Sequence, residues 1–144
     1  MKIGEKKMEF DIIADEIEHQ SAVQLKKYYG EMVSIKILNR HVRGLEFEMS
    51  DATAAAQWVR NLPFLTELDF SYSMQSINLK SVEWLWLLPQ IEELGLSVNN
   101  NCENEIYDFL RGIGKLNRLQ FFHIEINHLT VLPEEIGNCE DLNV

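Results

Sequence analysis

The sequence predicts a single α/β domain in which short strands alternate with helical or tightly turned returns, the chain coiling so that the strands lie parallel along one side. Three observations predict it. Leu116, Leu119, Phe122, Ile124, Leu129, Leu132 and Ile136 are apolar in an order that is neither helical nor strictly alternating, with Asn127 between Ile124 and Leu129. The order recurs: Leu88, Ile91, Leu94, Leu96 and Asn99 stand 28 residues earlier, Leu62, Leu65, Leu68, Phe70 and Ser73 a further 26, and Val42, Leu45, Phe47 and Ser50 a further 23. Finally, 144 residues at 46% hydrophobic suit one domain with a real core. No single copy can bury its own apolar edge, so the copies have to stack.

Residues 116–137 resemble one leucine-rich repeat of the short bacterial type, LxxLxLxxNxLxxLPxxIG. The steps between copies lie in the family's range of about 20–29 residues, and Cys139 and Leu142 open a further copy 23 residues after Leu116 and Leu119. The resemblance covers residues 42–144, about four repeats and a truncated last one. It implies a solenoid with parallel strands on the concave face and helices and turns on the convex side. In each strand two apolar side chains two residues apart, such as Phe122 and Ile124, point the same way. It also implies that Asn99 and Asn127 belong to an interior ladder of side-chain amides, interrupted where Ser50 and Ser73 replace Asn. Read without the family, Asn127 is a surface turn residue.

Ahead of the repeats, residues 1–41 are expected to form an α/β cap that shields the first apolar edge. Met8, Phe10 and Ile12 alternate with acidic residues, as in a strand with one wet face. Ser21 and Gln24 form a capping box, and Gly30 can close a helix over residues 21–29, with an earlier start at Asp15 also open. Val33, Ile35 and Ile37 then alternate, too close to the strand at Val42 for anything but an antiparallel hairpin.

The returns differ in length. Asp51 can cap an alanine-rich helix through Trp58 and Val59, which can seal the core. Residues 81–88 are short and aromatic, with one of Trp84 and Trp86 expected in the core and the other partly exposed on the convex side. Ile106, Phe109, Leu110 and Ile113 predict a helix over residues 103–111 that Gly112 and Gly114 terminate. Pro133 to Gly137 predict one tight turn. The chain then reaches residue 144 inside a strand entry, so either residues 139–144 cover the apolar end themselves or something else covers it. The chain is then expected to be a monomer or to self-associate weakly through this end, and the second case also admits partner docking there.

With 23 acidic residues against 13 basic, the net charge is −10, which disfavours nucleic acid and anionic membrane and favours a basic protein partner. Cys102 and Cys139 form no metal-ligand or redox spacing, and Cys139 takes a leucine position as a small buried hydrophobe. The first residues lack the apolar core of a leader, and a reduced cytoplasmic setting is expected. The sequence carries no phosphate loop, nucleophile elbow or HExxH, so neither a catalytic residue nor a cofactor is expected.

The resemblance places the residues between the buried strand positions on the concave face, in three rows. The first is Gly44, Glu67, Glu93 and Phe121; the second Glu46, Asp69, Gly95 and His123; the third Glu48, Ser71, Ser97 and Glu125. Counting Glu92, seven carboxylates gather there, and neighbours such as Glu67 and Glu93 or Glu46 and Asp69 repel across strands about 4.8 Å apart. A cationic ligand would relieve that repulsion, with Tyr72, Phe121 and His123 adding flat contact area. The plainer alternative is that the acids keep an exposed sheet in solution. Two functional readings follow. One is an interaction module docking a basic protein on the acidic face, for instance an immunity protein neutralising a toxic enzyme. The other is a scaffold or host-directed effector that assembles through its C-terminal end or convex surface.

Overall fold

The structure is a computed structural model that describes residues 32–38, 41–47, 52–53, 55–60, 62–71, 77–98, 103–125 and 129–143. Five strands among them form one sheet in chain order. β1 (Met32–Leu38) and β2 (His41–Phe47) pair antiparallel, the hairpin that their close spacing requires. β3 (Glu67–Asp69), β4 (Glu93–Ser97) and β5 (Phe121–Glu125) follow, each parallel to the strand before it.

Parallel neighbours need a crossover, and each crossover here is helical. α1 (Ala55–Val59) joins β2 to β3, a 3-10 helix (Leu79–Leu87) joins β3 to β4, and α2 (Glu103–Leu110) with a 3-10 extension (Arg111–Lys115) joins β4 to β5. A last 3-10 turn (Glu134–Asn138) follows β5. This succession of strand, return and parallel strand is the arrangement that the resemblance to leucine-rich repeats implies. Its repeat is written in the backbone: the N–H groups of Thr66, Glu92, Gln120 and Asn143 donate to the carbonyls of Arg43, Thr66, Glu92 and Gln120 at 2.8, 2.7, 2.7 and 3.0 Å. Those residues are 23, 26, 28 and 23 positions apart, the steps between the apolar copies.

The core lies between the sheet and the returns. Leu45, Leu68, Leu94 and Phe122 are direct register partners across β2 to β5, and the first three are buried. Phe47 and Phe70 form a second stack at 5.3 Å between ring centres. Phe122 and Ile124, on the outermost strand, are only half-buried. Val59, Leu85, Ile106, Leu110 and Ile113 close the core from the return side. Both tryptophans of the second return have a home. Trp86 is buried against Phe109, and Trp84 is half-buried with its indole N–H donating to the Ser81 carbonyl at 2.6 Å and the Ala52 carbonyl at 3.2 Å. Cys139 is buried, its thiol donating to the Ile113 carbonyl at 3.3 Å, and burial pushes its pKa up.

One expectation needs correcting. Gly112 and Gly114 do not terminate the helix: α2 passes into the 3-10 segment, and both glycines sit inside helical backbone. Close approach explains them instead. The Trp86 ring lies so near Gly112 that a Cβ there would come within 3.0 Å of three indole atoms, while Asn138 and Glu135 crowd Gly114. The cap segments around residues 8–12 and 21–29, the proposed cap Asp51 and the ladder positions Ser50, Ser73, Asn99 and Asn127 lie outside the described residues.

The Trp86 contact makes Gly112→Ala a test of packing against propensity. Helix propensity alone favours alanine by about 1 kcal/mol. An indole locked in the core cannot swing aside, and overpacking costs about 1–3 kcal/mol. The expected result of denaturant unfolding is a net loss of stability; a gain would show that the ring does not press on this position.

Candidate functional site

Side chains alternate along a strand, so the residues between the buried positions turn away from the core. Register then decides which of them meet. Gly44, Glu67, Glu93 and Phe121 are consecutive partners across β2 to β5, and so are Glu46, Asp69, Gly95 and His123. Glu125 pairs with Ser97, but Ser97 is buried rather than outward and open as expected. Glu92 directly precedes β4, tied by its N–H to the Thr66 carbonyl. Glu48 and Tyr72 lie outside the described residues.

The face so built is dished. A depression of about 500 Å³ is lined by Glu46, Glu67, Asp69 and Glu93 on its acidic side and by Phe121 and His123 towards β5. Phe121 is 51% exposed and so offers half of its ring to this face. His123 Nε2 lies 3.5 Å from Glu125 Oε1, both groups being largely in solvent.

Two glycines shape the floor. Gly44 separates Lys36 of β1 from Glu67 of β3, and over this gap Lys36 Nζ reaches Glu67 Oε1 at 2.9 Å. A Cβ at Gly44 would stand 3.0 Å from Glu67 Oε2 and 3.3 Å from the Lys36 Cβ, so a side chain there would crowd the bridge. Gly95 is overlaid by Asp69, whose Oδ1 accepts from the Ser71 N–H at 2.8 Å and from the Ser71 hydroxyl. Lys36 joins this face from β1, outside the rows that the repeats define. Its signal was present: Ile35 and Ile37 alternate inward, which turns Lys36 to the outer face, and the hairpin sets it beside Gly44.

Internal partners therefore compensate two of the four carboxylates, Glu67 and Asp69. Glu46 and Glu93 make no ion pair among the described residues. Partial burial raises the pKa of Glu46, with Asp69 and then Glu67 adding to the rise. Glu93 is raised first by burial and next by Glu67, with Lys36 pulling the other way. The Lys36 ammonium is shifted up by its hydrogen bond and charge pairing with Glu67. Chemically the face can accept N–H donors from a cationic surface at several points. Among the described residues no group of three or more His, Cys, Asp or Glu side chains converges to hold a metal ion, and no helix is long and apolar enough to cross a membrane.

No family model matches the sequence, and no curated protein matches it. A solved leucine-rich repeat protein of Leptospira interrogans is similar, at 22% identity and a TM-score of 0.47 over 69% of this chain. The chain spans 24% of that protein's length.

The raised carboxylates fix the sign of a pH effect. A folded pKa above the unfolded one means that the native state holds protons that the unfolded chain releases, so the associated stability is full at low pH and is lost as pH rises through the folded values. Glu46 and Glu93 thus destabilise the fold at neutral pH. Replacing Glu93 by Gln is expected to raise stability at pH 7 by a few tenths of a kcal/mol, the scale of a like-charge cross-strand pair. The gain should vanish near pH 4, where the wild-type carboxyl is itself taking up protons. A loss of stability at pH 7 would contradict the assignment.

Proposed function

We propose that this chain is a non-enzymatic interaction module that takes a basic protein on the outer face of its sheet. The observation that carries the reading is the pair Glu46 and Glu93: two carboxylates raised by burial and by acidic neighbours, without ion-pair partners among the described residues, in a dish that ends in an exposed phenylalanine. A lysine or arginine set against them supplies the charge that Lys36 gives Glu67, and Phe121 offers its ring to an alkyl stem or guanidinium. The net charge of −10 adds long-range steering towards a basic partner. In its concrete form the reading is an inhibitor or immunity protein that covers the positive site of a toxic enzyme. That form rests on size and charge.

The test separates local from diffuse charge. One variant reverses Glu46, Asp69 and Glu93 to Lys; a control reverses Glu83, Glu105 and Asp108, on the return side, and so changes net charge equally. Binding of an oligo-arginine peptide, read by fluorescence anisotropy at physiological salt, is expected to weaken about tenfold more in the first variant than in the control. Equal losses would mean that the whole surface attracts the cation and that no docking face exists.

A further inference from the structure

The return side of the sheet holds a groove whose walls are both helical. Three residues per turn stack Lys80, Glu83 and Trp86 along one face of the 3-10 helix Leu79–Leu87. That face is the one turned to α2, since the Trp86 ring packs on Phe109 at 4.8 Å between ring centres and fills the place of a side chain at Gly112. Opposite stand Glu105, Asp108, Gly112 and Lys115, which steps of three and four residues set on one stripe of α2 and its 3-10 extension. Between the walls runs an open groove of about 930 Å³. It lies within the succession of returns, with α1 before its first wall and the Glu134–Asn138 turn after its second, and all of its lining is described.

We propose that this groove seats an amphipathic helix of a partner protein, apolar along one stripe and basic on its flanks. The inference is independent of the acidic-face reading. Backbone chemistry selects a helix. Both walls spend their N–H and C=O groups within themselves, so an extended segment would find no ladder to join, whereas a helix arrives with its own hydrogen bonds made. Length agrees. The 9 residues of the first wall rise about 18 Å, and the 8 and 5 of the second about 22 Å, a span that takes about 13 residues of α-helix.

The side chains say what the helix carries. Leu87 stands 67% exposed at the lip, more than any other large hydrophobic among the described residues. Trp84, also in the lining, is half-buried with its indole N–H spent on the Ser81 and Ala52 carbonyls, so it shows carbon to the groove. These two give an apolar stripe its contact. Around them Glu83, Glu105 and Asp108 are exposed and make no ion pair among the described residues, against the two cations Lys80 and Lys115. Bases on the flanks of the stripe answer that excess of acid.

The probe is a synthetic peptide of about 13 residues with leucine at i, i+3, i+4 and i+7 and lysine elsewhere, compared with a peptide of the same composition whose leucines are scattered off the stripe. Fluorescence anisotropy with the full 144-residue chain is expected to show the patterned peptide binding about tenfold tighter than the scattered one. Leu87→Ser changes an exposed position and leaves both core and net charge as they are. It is expected to weaken the patterned peptide about tenfold and to leave oligo-arginine, which has no leucine to set there, unaffected. In an NMR titration the amides of residues 83–87 and 105–112 are expected to shift ahead of those of the sheet. Equal binding of the two peptides overturns the proposal, and so does a Leu87→Ser chain that binds like the wild type or a set of shifts confined to the sheet. A wild-type dimer that Leu87→Ser dissolves, seen in sedimentation, would give the groove to a second copy of this chain and overturn it too.

Discussion

The structure depends on the register of its parallel backbone ladder. The bonds that link Arg43, Thr66, Glu92, Gln120 and Asn143 set each strand beside the last without an offset. Because side chains alternate, that one setting buries Leu45, Leu68 and Leu94 and turns Glu46, Glu67, Asp69 and Glu93 outward together. A slip of one residue would exchange the two sets, placing carboxylates in the core and leucines in water. The apolar stack enforces the register, since burying a single leucine is worth about 1.5–3 kcal/mol and a desolvated carboxylate costs more than that.

The same register creates a conflict that the molecule resolves only in part. Like charges fall opposite one another in both outer rows, Glu67 beside Glu93 and Glu46 beside Asp69. Gly44 opens room for Lys36 to reach Glu67, and Gly95 lets Asp69 lie flat and accept from Ser71. The Lys36 bridge is solvent-exposed, so its direct contribution to stability is small. Its effect is local: Lys36 offsets part of the repulsion that Glu67 exerts on Glu93, and Glu93 and Glu46 are left as the groups whose ionisation the fold resists. A surface in that condition gains when a cation arrives, which ties the energetics of the sheet to the function proposed for it.

Much of this could be read from the residues, because the repeat expresses one spacing several times over. The apolar positions located β2 to β5, the rows of outward residues and the hairpin of β1, since each follows from alternation or from a step between copies. What the spacing could not show was lateral contact. Gly112 looked like a helix stop because glycine commonly is one, and only the neighbouring return reveals the Trp86 ring pressed upon it. Lys36 looked like a wet residue of a hairpin, and its pairing with Glu67 spans two strands and 31 residues. Ser97 stood in an outward row by alternation yet is buried. Strand parity decides direction and says nothing of what lies above.

The register itself can be measured in solution. In an NMR experiment on the uniformly labelled chain, cross-strand nuclear Overhauser contacts are expected to connect Leu68 with Leu94 and Leu94 with Phe122, as direct neighbours. Contacts displaced by one residue, Leu68 with Glu93 and Leu94 with Phe121, would turn the acidic rows to the other side of the sheet and contradict the account at its base.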